Sequence, residues 1–175
     1  FGDGAGAVIL GPAHEAEPGE EPVGILSSLI HTDGSLADAL NIPAGGSADP
    51  PRAEHVQTKQ DKVHMVGKDV FRTAVRNLTS CSAQALKASG LMSSDLDWVV
   101  AHQANMRIIT QVSNRLGFPL DKFVINIHNY GNTSSASIPI ALDEAVRDGR
   151  IKPGQTVLMC ALGAGISWGA AIVRM

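Results

Sequence analysis

From Thr133 to Leu142 the chain carries no charged side chain (TSSASIPIAL), and only the following DEAVRDGR turns polar. A helix of small and apolar residues on every side is normally packed between layers and not laid on a surface. This one segment therefore calls for structure on both of its sides, and Pro139 within it predicts a bend or an unpaired carbonyl.

The flanking pattern says what the layers are. Short apolar runs at 5–10, 23–31, 96–101, 123–128, 156–162 and 166–174 read as strands. From Lys68 to Ser89, apolar residues at Val70, Phe71, Ala74, Val75, Leu78, Cys81 and Leu86 mark one helical face, closed by Gly90 at C′. A second helix is predicted over 103–116, with Met106, Ile109, Val112 and Leu116 inward. Gly163-Ala164-Gly165 predicts a tight antiparallel turn between the last two strands. Strand, helix, strand, helix, then hairpin implies an α/β fold: a mixed sheet with helices on both faces. Residues 11–22 are a polar loop broken by Pro and Gly, and 41–62 a surface excursion and the most flexible part. Pro50 and Pro51 bar a helix through that point.

Composition excludes several classes of function. With 44% hydrophobic and 18% charged residues and 18 glycines, the chain is that of a compact domain, not a disordered one. A net charge of -3 gives no basis for nucleic-acid binding. No apolar run approaches the roughly 18 residues of a membrane span. Phe1-Gly2-Asp3-Gly4 is no signal peptide, and the reading is of an internal start in a longer, cytoplasmic protein. Cys81 and Cys160 form no CxxC pair and read as buried structural thiols, not nucleophiles. His14, His31, His55, His64, His102 and His128 show no metal-ligand spacing. Gly2-Asp3-Gly4-Ala5-Gly6 lacks the preceding strand and following helix of a dinucleotide site.

Ligands of such sheets bind outside the carboxyl ends of strands. Three singular segments fall there: His102, Asn132 and the Gly163–Gly165 turn, each after a different strand. Asn132 also precedes a helix, where an asparagine serves as N-cap.

AHQANMRI at 101–108, YGNTSSASIPIALDEA at 130–145 and GAGISWGAAIVRM at 163–175 resemble signature blocks of β-ketoacyl-acyl carrier protein synthase III. FGDGAGAVIL at 1–10 and MVGKDVFRTAV at 65–75 are similar to its opening strand and coenzyme A-contacting helix. The resemblance implies the C-terminal half of a thiolase-fold condensing enzyme. Its mixed five-stranded sheet would pack on an N-terminal half, which carries the nucleophilic cysteine, in an αβαβα arrangement. It further implies decarboxylative condensation of an acyl-coenzyme A primer with malonyl-acyl carrier protein, by a homodimer needing no cofactor beyond its thioester substrates. A related acyltransferase, a quinolone- or polyketide-type condensing enzyme, or a module that only binds acyl-coenzyme A or a partner is the alternative. Carried onto this chain, His102 and Asn132 become neutral donors to an enolate oxygen, and the Ala164 N–H a donor in an oxyanion hole. Many relatives have glycine there, and a positive φ would strain an alanine. Gly67, Phe71, Arg72, Ala104, Asn105, Arg107 and Arg115 become contacts for coenzyme A or the carrier protein, and Leu162 stands where phenylalanine is common.

Overall fold

A computed structural model describes residues 1–12 and 18–175. The expected 11–22 loop falls partly, and His14 wholly, outside the described residues. The elements in order are β1 (Gly24–Thr32), β2 (Leu40–Asn41), α1 (Ala53–Gln57), β3 (His64–Met65), α2 (Gly67–Ala88) and β4 (Trp98–Ala101). After them come α3 (Met106–Leu116), α4 (Ile127–Tyr130), α5 (Ser137–Arg147), β5 (Thr156–Gly163) and β6 (Ser167–Arg174). A four-stranded sheet runs β1-β6-β5-β4, antiparallel except for the parallel β4–β5 pair.

Side-chain alternation along the strands feeds two cores. Val99 and Ala101 of β4, Leu158 and Cys160 of β5 and Ala170 and Ile172 of β6 face α2 and α3. Val100 and Val157 point the other way, onto Ala141 and Ala145 of α5. Helices therefore cover both faces, as the period-2 and period-3.6 patterns require. Helix α2 buries Val70, Ala74, Val75, Leu78, Cys81, Ala85 and Leu86 as one stripe. It ends at Gly90 with φ 73°, the Leu91 N–H reaching the Leu86 carbonyl and the Gly90 N–H that of Lys87. That is a Schellman close, for which a left-handed glycine is needed. Both thiols are buried. Burial raises the Cys81 pKa and pushes Cys160 up to about 12.

Two of the six expected strands are not strands, and the main sheet has four strands, not the five that the resemblance implies. The 123–128 run makes one parallel bridge, Phe123 to Val99, and then turns into α4. Residues 5–10 have no ladder partner, and Ile9 is 99% exposed. A strand is stable only when a neighbour takes up its backbone groups, and none of the described elements does so here. The 41–62 excursion is also more built than expected, holding α1 and the start of the β2–β3 ladder. Its prolines stop just short of α1, whose N-cap is Arg52.

Pro139 neither kinks a helix nor leaves a bond open. A 3-10 turn (Ser134–Ala136) precedes α5, so Pro139 falls in the helix's first turn, where an N–H has no intrahelical acceptor anyway. The opening glycines pack against this same region. A Cβ on Gly2 would lie 2.0 Å from the Tyr130 carbonyl oxygen, on Gly4 3.0 Å from Thr133 and Ile140 atoms, and on Gly6 2.5 Å from Pro139. Every second residue of the strap thus needs to be glycine for close approach, and the Gly2 N–H donates to the Asn132 carbonyl at 2.8 Å.

Candidate active site

His102, Asn132 and Ala164 line one cavity of about 690 Å³, together with Ala104, Asn105 and Leu162. Helix α2 contributes Val70, Ala74 and Leu78 to the lining, so the pocket is largely apolar with a few polar groups converging on it. The wall missed from sequence is formed by Ile42 of the excursion and the residues flanking it, Leu40, Val63 and Met65. The available signal was that these apolar residues bracket its polar middle at both ends.

His102 leaves the end of β4, its N–H held by the Cys160 carbonyl of β5 at 2.8 Å. Its Nδ1 lies 2.6 Å from the Ser137 hydroxyl. Burial lowers the His102 pKa below its ordinary 6.5, which keeps the ring neutral. In that state one ring nitrogen carries a hydrogen and can donate without bringing in charge. The pH consequence has a definite sign. Protonating the ring removes the neutral form, so activity that depends on it should fall on the acid side with a midpoint below 6.5. Stability shifts in the same sense: it is complete above the unfolded-state value and declines as pH drops below it. Rate-against-pH and denaturation-against-pH profiles of wild type and His102→Ala check both.

Asn132 sits between α4 and the 3-10 turn, and its Oδ1 accepts the Ser134 N–H at 2.9 Å. Only an oxygen can accept there, so the amide orientation is fixed and the NH₂ remains for the cavity. Thr133, not Asn132, occupies the N-cap position itself. Asn132 thus closes the turn with its oxygen while its nitrogen stays available.

At the β5–β6 turn Ala164 does not adopt positive φ; Gly165 (71°) and Ile166 (47°) do. Alanine is therefore tolerated, and the expected strain falls two residues on. A β-branched residue at positive φ is a true outlier, held by complete burial of Ile166 and by its carbonyl accepting the Asp33 N–H at 3.0 Å.

Helix α3 begins at Met106 and not at 103, because Asn105 caps it: Oδ1 accepts the Ile108 N–H at 3.0 Å. Its amide oxygen is engaged and only the NH₂ is left for a ligand. Residue 103 instead serves the loop. Gln103 is 1% exposed, and its Nε2 donates to the carbonyls of Ala101 (2.8 Å) and Val124 (3.1 Å). Its Oε1 accepts the N–H groups of Asn126 (3.1 Å) and Ile127 (3.2 Å). Neither Gln103 nor Ser137 was singled out from sequence.

Gly67, Phe71, Arg72, Arg107 and Arg115 do not line the cavity. The Arg107 guanidinium lies 5.1 Å from the Phe71 ring centroid, tying α3 to α2, while Arg72 pairs with Asp69 at 2.9 Å. Arg115 is exposed in the last turn of α3. A Cβ on Gly67 would meet nothing of this chain within 4 Å, so the space beside it is open. Among the described residues no group of three or more His, Cys, Asp or Glu is arranged to hold a metal, and no helix is long and apolar enough to cross a membrane.

A mixed sheet covered on both faces, with an imidazole and a carboxamide converging on a cavity at its strand ends, defines a thiolase-like half. Solved structures agree. A β-ketoacyl-[acyl carrier protein] synthase III from Thermus thermophilus superposes with a TM-score of 0.80 at 35% identity, covering 95% of this chain and 49% of that one. The family described as 3-oxoacyl-[acyl-carrier-protein (ACP)] synthase III C terminal matches residues 86–175, and this chain belongs to it. Among curated proteins it is 52% identical over 175 residues to the β-ketoacyl-[acyl-carrier-protein] synthase III of Paramagnetospirillum magneticum. It is 46% identical over 174 residues to that of Escherichia coli K12. The alignments cover 100% and 99% of this chain but 51% and 50% of those proteins. The chain thus spans about half the length of the curated relatives it matches.

Proposed function

We propose that this chain is the enolate-stabilising, C-terminal domain of an acyltransferase that condenses an acyl-coenzyme A primer with malonyl-acyl carrier protein, initiating fatty acid synthesis. The observation that carries the reading is the shared cavity of His102 and Asn132, two neutral donors facing one volume. Loss of CO₂ from a malonyl thioester leaves its electron pair delocalised onto the thioester oxygen. Two preorganised N–H donors stabilise that oxygen, and an apolar lining strengthens them by excluding water. The enolate carbon then attacks the acyl group held on a cysteine, and the cysteine thiolate leaves. The Ala164 N–H serves the tetrahedral oxygen of that step. No cofactor beyond the thioesters is needed, since every charge that develops has a protein donor.

The cysteine that holds the acyl group comes from an N-terminal half, because Cys81 and Cys160 are buried with raised pKa. The exposed apolar side chains of Phe1, Val8, Ile9 and Leu10 supply the surface that such a half covers. Ala104 and the Asn105 NH₂ meet the incoming pantetheine arm in the cavity, and Gly67 and Phe71 contact coenzyme A or the carrier protein. Arg72, Arg107 and Arg115 face the acidic carrier protein. The complete enzyme is a cytoplasmic homodimer. A related polyketide- or quinolone-type condensation would use the same two donors, whereas a mere binding module would need neither.

The test is an assay of the protein holding both halves, given acetyl- or branched-chain acyl-coenzyme A and malonyl-acyl carrier protein. Stoichiometric CO₂ and β-ketoacyl-carrier product are expected. Binding of acyl-coenzyme A with no CO₂ released would overturn the reading.

A further inference from the structure

We propose that the Ser137 hydroxyl is a positioning residue that sets the tautomer of His102, keeping the ring proton on Nε2 and toward the cavity. The inference deepens the condensing reading and rests on it for its kinetic consequence, though not for the tautomer itself.

Ser137 is the first residue of α5 and is 3% exposed. Its Oγ lies 2.6 Å from His102 Nδ1 and 3.3 Å from the Gln103 backbone nitrogen. A peptide N–H only donates, so the hydroxyl must accept from Gln103. It has a single proton to give, and among the described residues Nδ1 is the only other polar atom bonded to it. The proton therefore goes to Nδ1. A ring nitrogen that accepts carries no hydrogen, so the hydrogen of the neutral ring sits on Nε2.

The opposite arrangement fails on two counts. Were Nδ1 the donor, Ser137 would accept from both neighbours and its own proton would have no acceptor among the described residues, which native interiors avoid. Nε2 would then present a lone pair to the cavity, which repels the oxygen on which negative charge develops instead of stabilising it. The donor that fixes the hydroxyl is itself held firmly, because the Gln103 side chain is bonded to four backbone groups around it. Tautomer selection thus runs from the Gln103 loop through Ser137 to the imidazole, on the same logic by which a partner on one nitrogen of a histidine decides the role of the other.

The experiment uses the protein holding both halves with ¹⁵N-labelled histidine and a long-range ¹H–¹⁵N spectrum. His102 should show an acceptor-type Nδ1 and a protonated Nε2. Ser137→Ala should give a mixture of tautomers and a fall of about 10- to 100-fold in kcat for malonyl-thioester decarboxylation, with KM unchanged. Ser137→Thr, which keeps the hydroxyl, should restore both. A wild-type spectrum with the proton on Nδ1 overturns the proposal even if Ser137→Ala does not fold. A folded Ser137→Ala with unaltered spectrum and rate overturns it too, as does equal loss in the Ala and Thr variants. A wild type with protonated Nε2 but no decarboxylation supports this inference and removes the condensing reading instead.

Discussion

Replacing His102 with alanine is expected to lower decarboxylation of a malonyl thioester by about 10²–10³-fold, the usual loss for one preorganised oxyanion donor. Transfer of the acyl group from coenzyme A to the cysteine should survive, because the proposed function assigns that step to the Ala164 oxyanion hole. The split between the half-reactions is the informative part. It is read by following CO₂ release and, separately, formation of the acyl-enzyme by intact mass. Asn132→Ala should show the same split, since the proposed function gives its NH₂ the same oxygen to stabilise. Asn132→Asp should be worse than Ala, because it places a negative charge where another must develop. Equal loss in both half-reactions would mean that the cavity had collapsed and would remove the role assigned to these donors.

The second large effect is on stability. Gln103→Leu keeps the volume but strips partners from the Ala101 and Val124 carbonyls and the Asn126 and Ile127 N–H groups. These bonds are made by a side chain that is 1% exposed, so water does not readily replace them. Each buried group left unpaired costs about 1–3 kcal/mol, with partial relaxation of the loop. A net destabilisation of about 3–5 kcal/mol is expected, at the upper end for a single substitution. Chemical denaturation of the protein holding both halves measures it. A change below about 1 kcal/mol would show that the loop re-pairs its own backbone, as only near-complete satisfaction removes the penalty.

What could be read from the chain without coordinates followed how local the information was. The stripe of α2, the Gly90 terminator and the β5–β6 hairpin came through because period and turn chemistry are written into neighbouring residues. The 123–128 run misled because apolar residues can be buried without pairing, and the 5–10 run because none of the described elements pairs with or covers it. His102 was recognisable as a residue type at a strand end, whereas Asn132 follows α4 and not the expected strand, and the cavity joins them. Ser137 and Gln103 were not recognisable, since their value lies in bonds to residues 34–35 and 21–24 positions away. A serine in a small-residue run looks like every other serine in it until the fold sets one of them against an imidazole.

The glycine strap has a consequence for docking. Its Gly2 N–H grips the carbonyl of Asn132, and its alternate residues seat against Tyr130, Thr133 and Pro139. Farther along the same strap, Ile9 and Leu10 stand bare. Whatever docks on those two side chains also bears on the strap whose other end holds the Asn132 backbone, so docking there and the ordering of that asparagine are mechanically linked.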